Sequence, residues 1–104
     1  MSAPEFLQGL KPVNATDGAP CRLEAKVGGS PFPTCKWYKD GIPFTPDGER
    51  VKAIARPDGT VALLFEKAEP KDAGKYTLEA TNPHGSFSSD GNLSVAGKLY
   101  FAMY

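Results

Sequence analysis

The stretch "DAGKYTLEATN", residues 72–82, decides the fold. Tyr76, Leu78 and Ala80 alternate with Lys75, Thr77, Glu79 and Thr81, which gives one apolar face and one polar face. That period of two belongs to a half-buried β-strand, whose successive side chains point to opposite sides. The same period recurs outward from this stretch. "CRLEAKV" sends Cys21, Leu23, Ala25 and Val27 one way, and "CKWYKD" does so with Cys35 and Trp37. "VALLFE" adds Val61, Leu63 and Phe65, and "NLSV" adds Leu93 and Val95. "RVKAIA" is ambiguous, with Val51, Ala53 and Ala55 competing against Ile54.

Turn-forming clusters separate these runs: "ATDGAP", "GGSPFP", "KDGIPFTPDG", "RPDGT", "EPKDAG" and "NPHG". No segment has a long helical period, and no internal repeat or low-complexity tract interrupts the rhythm. Roughly seven or more short strands in such a chain predict an all-β fold of two packed antiparallel sheets. The chain has 104 residues, one domain's worth and enough to bury a core.

The order of the marker residues closely resembles an immunoglobulin domain of the intermediate, or I-set, type. It runs Gly18, Leu23-x-Ala25, Pro31-x-Pro33-x-Cys35-x-Trp37 and Lys39-Asp40-Gly41. It continues with Asp58-Gly59, Leu63-x-Phe65, Asp72-x-Gly74-x-Tyr76-x-Leu78, Asn82-x-x-Gly85 and Leu93-x-Val95. The resemblance implies a Greek-key sandwich over residues 4–96. It further implies a core built on Trp37, Tyr76, Leu63, Ala25 and Leu78, with Tyr76 making the tyrosine corner and Arg50 pairing with Asp72. Gly41 and Gly59 each follow Asp, a pairing suited to turns that need positive φ.

By the same resemblance, the inter-sheet disulfide would join the positions held here by Ala25 and Leu78, and neither is cysteine. The two cysteines present, Cys21 and Cys35, stand at inward positions. Each begins its own strand, and the chain reverses between them, so they belong near opposite ends of the sandwich. At about 3.3 Å per residue that separation exceeds the roughly 7 Å limit for a bridge. Both are expected to be free, buried thiols. A domain without the bridge suits a reducing compartment, so the expected location is cytoplasmic, in the sarcomere or cytoskeleton. The triplets Asn14-Ala15-Thr16 and Asn92-Leu93-Ser94 are glycosylation sequons and pull the other way.

No catalytic constellation emerges, and the chain is expected not to be an enzyme. His84, the one histidine, lies in the "NPHG" turn with no nucleophile placed beside it. One histidine and two separated cysteines do not make a metal site, and no phosphate-cradling glycine loop implies a cofactor. Glu66, Glu69 and Asp72 are interleaved with Lys67 and Lys71, the pattern of a solvated corner. Lys+Arg 12 and Asp+Glu 12 give a net charge of +0, which argues against nucleic acid or an anionic membrane as the main partner. No apolar run approaches the roughly 20 residues of a membrane span, and the opening residues do not have the pattern expected of a signal peptide. No small-molecule substrate is implied.

Residues 1–3 read as a disordered or vector-derived start, and 97–104, "GKLYFAMY", as an apolar tail or interdomain linker. Leu99, Tyr100, Phe101 and Tyr104 are candidate partner contacts, since an exposed patch of that kind needs a cover. The resemblance is closest to I-set domains of giant muscle and cytoskeletal proteins: titin, twitchin, kettin, obscurin and relatives of myosin light chain kinase. It implies a spacer, mechanical element and docking surface in a multidomain protein. The partners it implies are neighbouring immunoglobulin or fibronectin-type domains and sarcomeric or cytoskeletal proteins. An adhesion or receptor ectodomain without the usual bridge is the alternative reading, and a scaffolding domain beside a kinase is a second.

Overall fold

The computed structural model describes residues 2–97. Its strands are β1 (Ser2–Gln8), β2 (Val13–Thr16), β3 (Cys21–Ser30), β4 (Thr34–Lys39), β5 (Ile42–Pro43), β6 (Val51–Ala55), β7 (Thr60–Phe65), β8 (Gly74–Asn82) and β9 (Gly85–Ala96). A single 3₁₀ turn, Pro70–Asp72, precedes β8. One sheet has the order β1-β3-β7-β6 and the other β2-β9-β8-β4-β5. Their inner faces meet in one core, as the alternation requires.

Register follows the hydrophobic pattern. Leu23 stands opposite Leu63 and Cys21 opposite Phe65 in the first sheet. Trp37 stands opposite Leu78 and Cys35 opposite Ala80 in the second. A one-residue slip would turn each of these sets outward, so burial of one face fixes the pairing.

Three expectations need correction. The second sheet is mixed rather than purely antiparallel, because β2 runs parallel to β9, with Val13 opposite Leu93. The chain crosses from one sheet to the other between β1 and β2. At that crossing a Cβ on Gly9 would lie 2.9 Å from Ser89 Oγ, and the same hydroxyl accepts the Leu10 N–H at 2.9 Å. Second, of the two readings of the start, disordered or vector-derived, the disordered one does not hold for Ser2 and Ala3, which belong to β1. Ser2 pairs with Ser30, and its carbonyl accepts from Asn82 Nδ2 at 2.8 Å. Third, β6 follows neither alternation proposed for it: Val51 is buried, Ala53 exposed and Ile54 half-buried. It is an edge strand, covered on one flank only.

Gly59 has the strictest backbone requirement. Its φ is 98°, and a Cβ there would sit 2.4 Å from the Val27 carbonyl oxygen. The turn it makes brings its own carbonyl to the Val27 N–H at 2.9 Å.

Candidate protein-interaction surface

The side chains singled out from the sequence fall into an interior set and an end set. Leu63, Tyr76 and Leu78 are 0% exposed, Ala25 is 1% and Trp37 is 6%. Ala25 comes from the first sheet and Leu78 from the second, and both belong to the same core cluster. The Tyr76 ring meets Phe44 and Phe65 edge-on, with centroids 5.6 and 5.9 Å away, a geometry that suits the ring quadrupoles. Lys39 Nζ lies 5.9 Å from the same ring's centroid and also donates to the Lys71 carbonyl.

The end set gathers below Tyr76. Its hydroxyl donates to the Asp72 carbonyl at 2.6 Å. Arg50 grips the Asp72 carboxylate with two nitrogens, and Asp72 also accepts the Glu69 N–H at 2.8 Å. Arg50 Nε reaches Glu69 Oε2 at 3.3 Å. The acidic residues expected as a solvated corner therefore divide: Glu69 and Asp72 hold Arg50, whereas Glu66 faces Lys52 at 4.0 Å. Burial pushes the Tyr76 phenol well above its usual range, and the Asp72 and Asp40 carboxylates add to that.

Cys21 and Cys35 are free but half-buried rather than buried. Cys21 opens β3 and Cys35 is the second residue of β4. Burial raises both thiols, and the Asp72 charge raises Cys21 further. His84 is exposed in its turn, its N–H donating to Asn82 Oδ1 at 2.8 Å. Among the described residues no group of three or more His, Cys, Asp or Glu side chains is placed to hold a metal. Leu99, Tyr100, Phe101 and Tyr104 lie outside the described residues.

Asn82, a marker of the family resemblance, has an anchoring role that the sequence does not assign. Asn82 Nδ2 donates to the carbonyls of Ser2 and Pro31, and its Oδ1 accepts from His84. A single amide thus ties β1, the loop before β4 and the turn before β9. Its place beside Pro83 and in Asn82-x-x-Gly85 marks a turn without naming the distant partners.

The surface carries separate exposed apolar residues, Leu7, Phe32, Ile42 and Phe87. It also carries a cleft of about 420 Å³ where the sheets part, lined by Cys35, Trp37, Phe44, Pro46 and Ala53 among others. An arrangement of this kind offers edges, loops and a groove to other proteins, and among the described residues no nucleophile stands beside the one histidine, His84.

Two sheets in this order, closed on Trp37 and tied at Tyr76, define an immunoglobulin sandwich. The family model for the immunoglobulin I-set domain matches residues 4–95, and the chain belongs to that family. It is 38% identical over 95 residues to the muscle M-line assembly protein unc-89 of Caenorhabditis elegans, covering 91% of this chain and 1% of that protein. It is likewise 38% identical over 95 residues to myopalladin of Mus musculus, covering 91% of this chain and 7% of that protein. The cell adhesion molecule DSCAM of Gallus gallus is 34% identical over 98 residues, or 94% of this chain and 4% of that protein. A chain in the crystal structure of the titin M10–obscurin-like 1 Ig complex superimposes with a TM-score of 0.89 at 31% identity. That match covers 96% of this chain and all of the other. The chain is thus homologous to single domains of long muscle and cytoskeletal proteins and spans only a small fraction of the curated relatives' length.

Proposed function

We propose that this domain is a non-enzymatic structural and protein-docking module of a multidomain intracellular protein of the sarcomere or cytoskeleton. The observation that carries the reading is the packed Ala25–Leu78 core, with both cysteines free, in place of an inter-sheet bridge. Such a core holds its stability without an oxidising environment. The relatives in muscle M-line and myopalladin proteins support it, as does the likeness to a titin–obscurin-like complex, in which domains of this kind meet other proteins. Neighbouring domains of the same chain and sarcomeric or cytoskeletal proteins are the partners this reading names. The segment 97–104 acts as the linker or contact toward them.

Tagged domain expressed in striated muscle cells is expected to concentrate in a sarcomeric band or on cytoskeletal filaments. Uniform diffusion through the cytoplasm would refute the reading. The adhesion-ectodomain reading keeps specific support: Asn14 and Asn92 of the two sequons are both exposed, and DSCAM is among the relatives. Glycan on Asn14 in native protein would establish it.

A further inference from the structure

The edge strand β6 is closed at one end and open at the other. In an antiparallel pair, alternate residues exchange backbone hydrogen bonds with the partner, and the residues between them point their N–H and C=O away. Arg50 C=O accepts from Glu66, and Arg56 N–H donates to Thr60. Lys52 and Ile54 share that phase, so Val51, Ala53 and Ala55 direct their backbone groups away from β7. Val51 is covered: Gly48 N–H donates to its carbonyl at 2.9 Å, and Asp47 Oδ1 accepts its N–H at 3.1 Å. Among the described residues, no turn or side chain gives Ala53 or Ala55 the same cover.

Both alanines are exposed, and their small side chains let another strand approach. Ala53 forms one wall of the cleft, facing Cys35, Trp37, Phe44 and Pro46. The single charged residue in the lining is Lys36, which stands opposite Glu79 of β8 but makes no ion pair within 4.0 Å among the described residues. We propose that the open half of β6 and this cleft receive an extended segment of a partner protein as an added strand. Small apolar side chains of that segment enter the cleft, and a carboxylate meets Lys36. Main-chain bonds supply affinity and the cleft supplies selectivity, as in other strand additions. A second copy of β6 fits less well, because it would bring Lys36 and Arg56 of both chains to one seam, whereas Lys52 is balanced by Glu66. The proposal rests on the docking-module reading and names its surface.

The probe is a library of short linear peptides displayed for selection on the isolated domain, followed by ¹⁵N-resolved NMR titration with the selected peptides. Peptides alternating small apolar residues and carrying Asp or Glu are expected, with the largest shifts at Cys35, Phe44, Ala53 and Ala55. Ala53→Pro removes an outward N–H without touching the β7 ladder and should weaken binding about tenfold or more. Lys36→Glu should do the same through charge, and it keeps the test alive if the proline variant fails to fold. Binding unaffected by either variant overturns the proposal, as do shifts confined to β2, β9 or the outer sheet faces, or a library that yields no binder. Concentration-dependent shifts at β6 without peptide would assign the edge to a second copy and overturn it equally. Localisation in muscle cells separates the two readings. If wild type and Ala53→Pro both localise and the peptides map elsewhere, the edge is wrong and the module reading stands. If wild type does not localise, the module reading fails whatever the peptides do.

Discussion

Arg50 and Asp72 form a two-pronged ion pair, Nη1 to Oδ2 at 2.6 Å and Nη2 to Oδ1 at 2.9 Å, that ties the entry of β6 to the turn before β8. Burial alone would raise the Asp72 carboxyl. The Arg50 hydrogen bonds, the Glu69 N–H and the Arg50 charge outweigh it and leave the carboxyl below its ordinary value. The unfolded chain therefore takes up this proton first as pH falls. The stabilisation is complete above the unfolded value of about 3.9 and is lost as pH drops through the lower folded value. Asp72→Asn should make the acid limb of the stability curve shallower below about pH 4, as read from urea midpoints. Asp47, Asp58 and Asp90 are also held low by hydrogen bonds, so the limb should flatten rather than vanish. Asp72→Ala should cost about 2–4 kcal/mol, less than a fully buried pair because Arg50 is partly exposed. An unchanged midpoint would show that the pair contributes nothing.

Tyr76→Phe isolates the hydroxyl at the corner. The ring packing stays, but the Asp72 carbonyl loses a donor that now sits at 2.6 Å. A cost of about 1–3 kcal/mol is expected for an orphaned buried acceptor. The phenol's raised value adds an alkaline signature. The unfolded chain releases that proton near pH 10 while the folded chain holds it. The stabilisation is full below about pH 10 and declines as pH rises toward the folded value. Tyr76→Phe should remove that part of the alkaline decline. An identical decline in both proteins would place its cause elsewhere.

The strands that carry the core were legible because burial of one face imposes a period of two, as with Leu23-x-Ala25 and Tyr76-x-Leu78. The first half of β9 hid itself for a physical reason. Gly91 must stay small where a Cβ would approach the Leu10 Cβ to 3.0 Å, and Ser89 is spent on the crossing chain. Polar and tiny residues there read as loop. β1 carries the buried Pro4, which demotes a sequence-based strand. The open half of β6 is not legible at all, because its outward phase depends on pairing with β7 rather than on side-chain type. Neither is Asn82's role, since its partners lie far away in sequence.

Gly59 and Gly41 both have positive φ, 98° and 81°, yet alanine should separate them. At Gly41 a Cβ meets nothing within 4 Å, so only backbone strain opposes it, about 1 kcal/mol. At Gly59 the Cβ would press on the Val27 carbonyl oxygen at 2.4 Å. Strain and a forced shift of the β3 backbone should together cost about 3 kcal/mol or more. Chemical denaturation of the two variants checks this, and equal costs would mean that the turn relaxes freely.

Ala25 and Leu78 stand where the family resemblance implies an inter-sheet bridge, and a double cysteine variant tests that placement. They are 1% and 0% exposed and come from opposite sheets of one core. Ala25→Cys with Leu78→Cys should oxidise to an intramolecular disulfide, whereas neither single variant should bridge. While reduced, the double variant should be about 1–3 kcal/mol less stable than wild type, because Leu78 loses apolar volume in a packed interior. Oxidation should then add about 2–4 kcal/mol by constraining the unfolded chain. The native thiols supply an internal control. Burial raises both Cys21 and Cys35, so they should react slowly until the domain is denatured, because the thiolate is the reactive form. Thiol titration of the oxidised double variant in denaturant should therefore find Cys21 and Cys35 alone. Recovery of all the thiols after oxidation would mean that these positions do not face each other. The packed pair could then no longer stand as the replacement of a bridge, and the case for a reducing compartment would lose its footing.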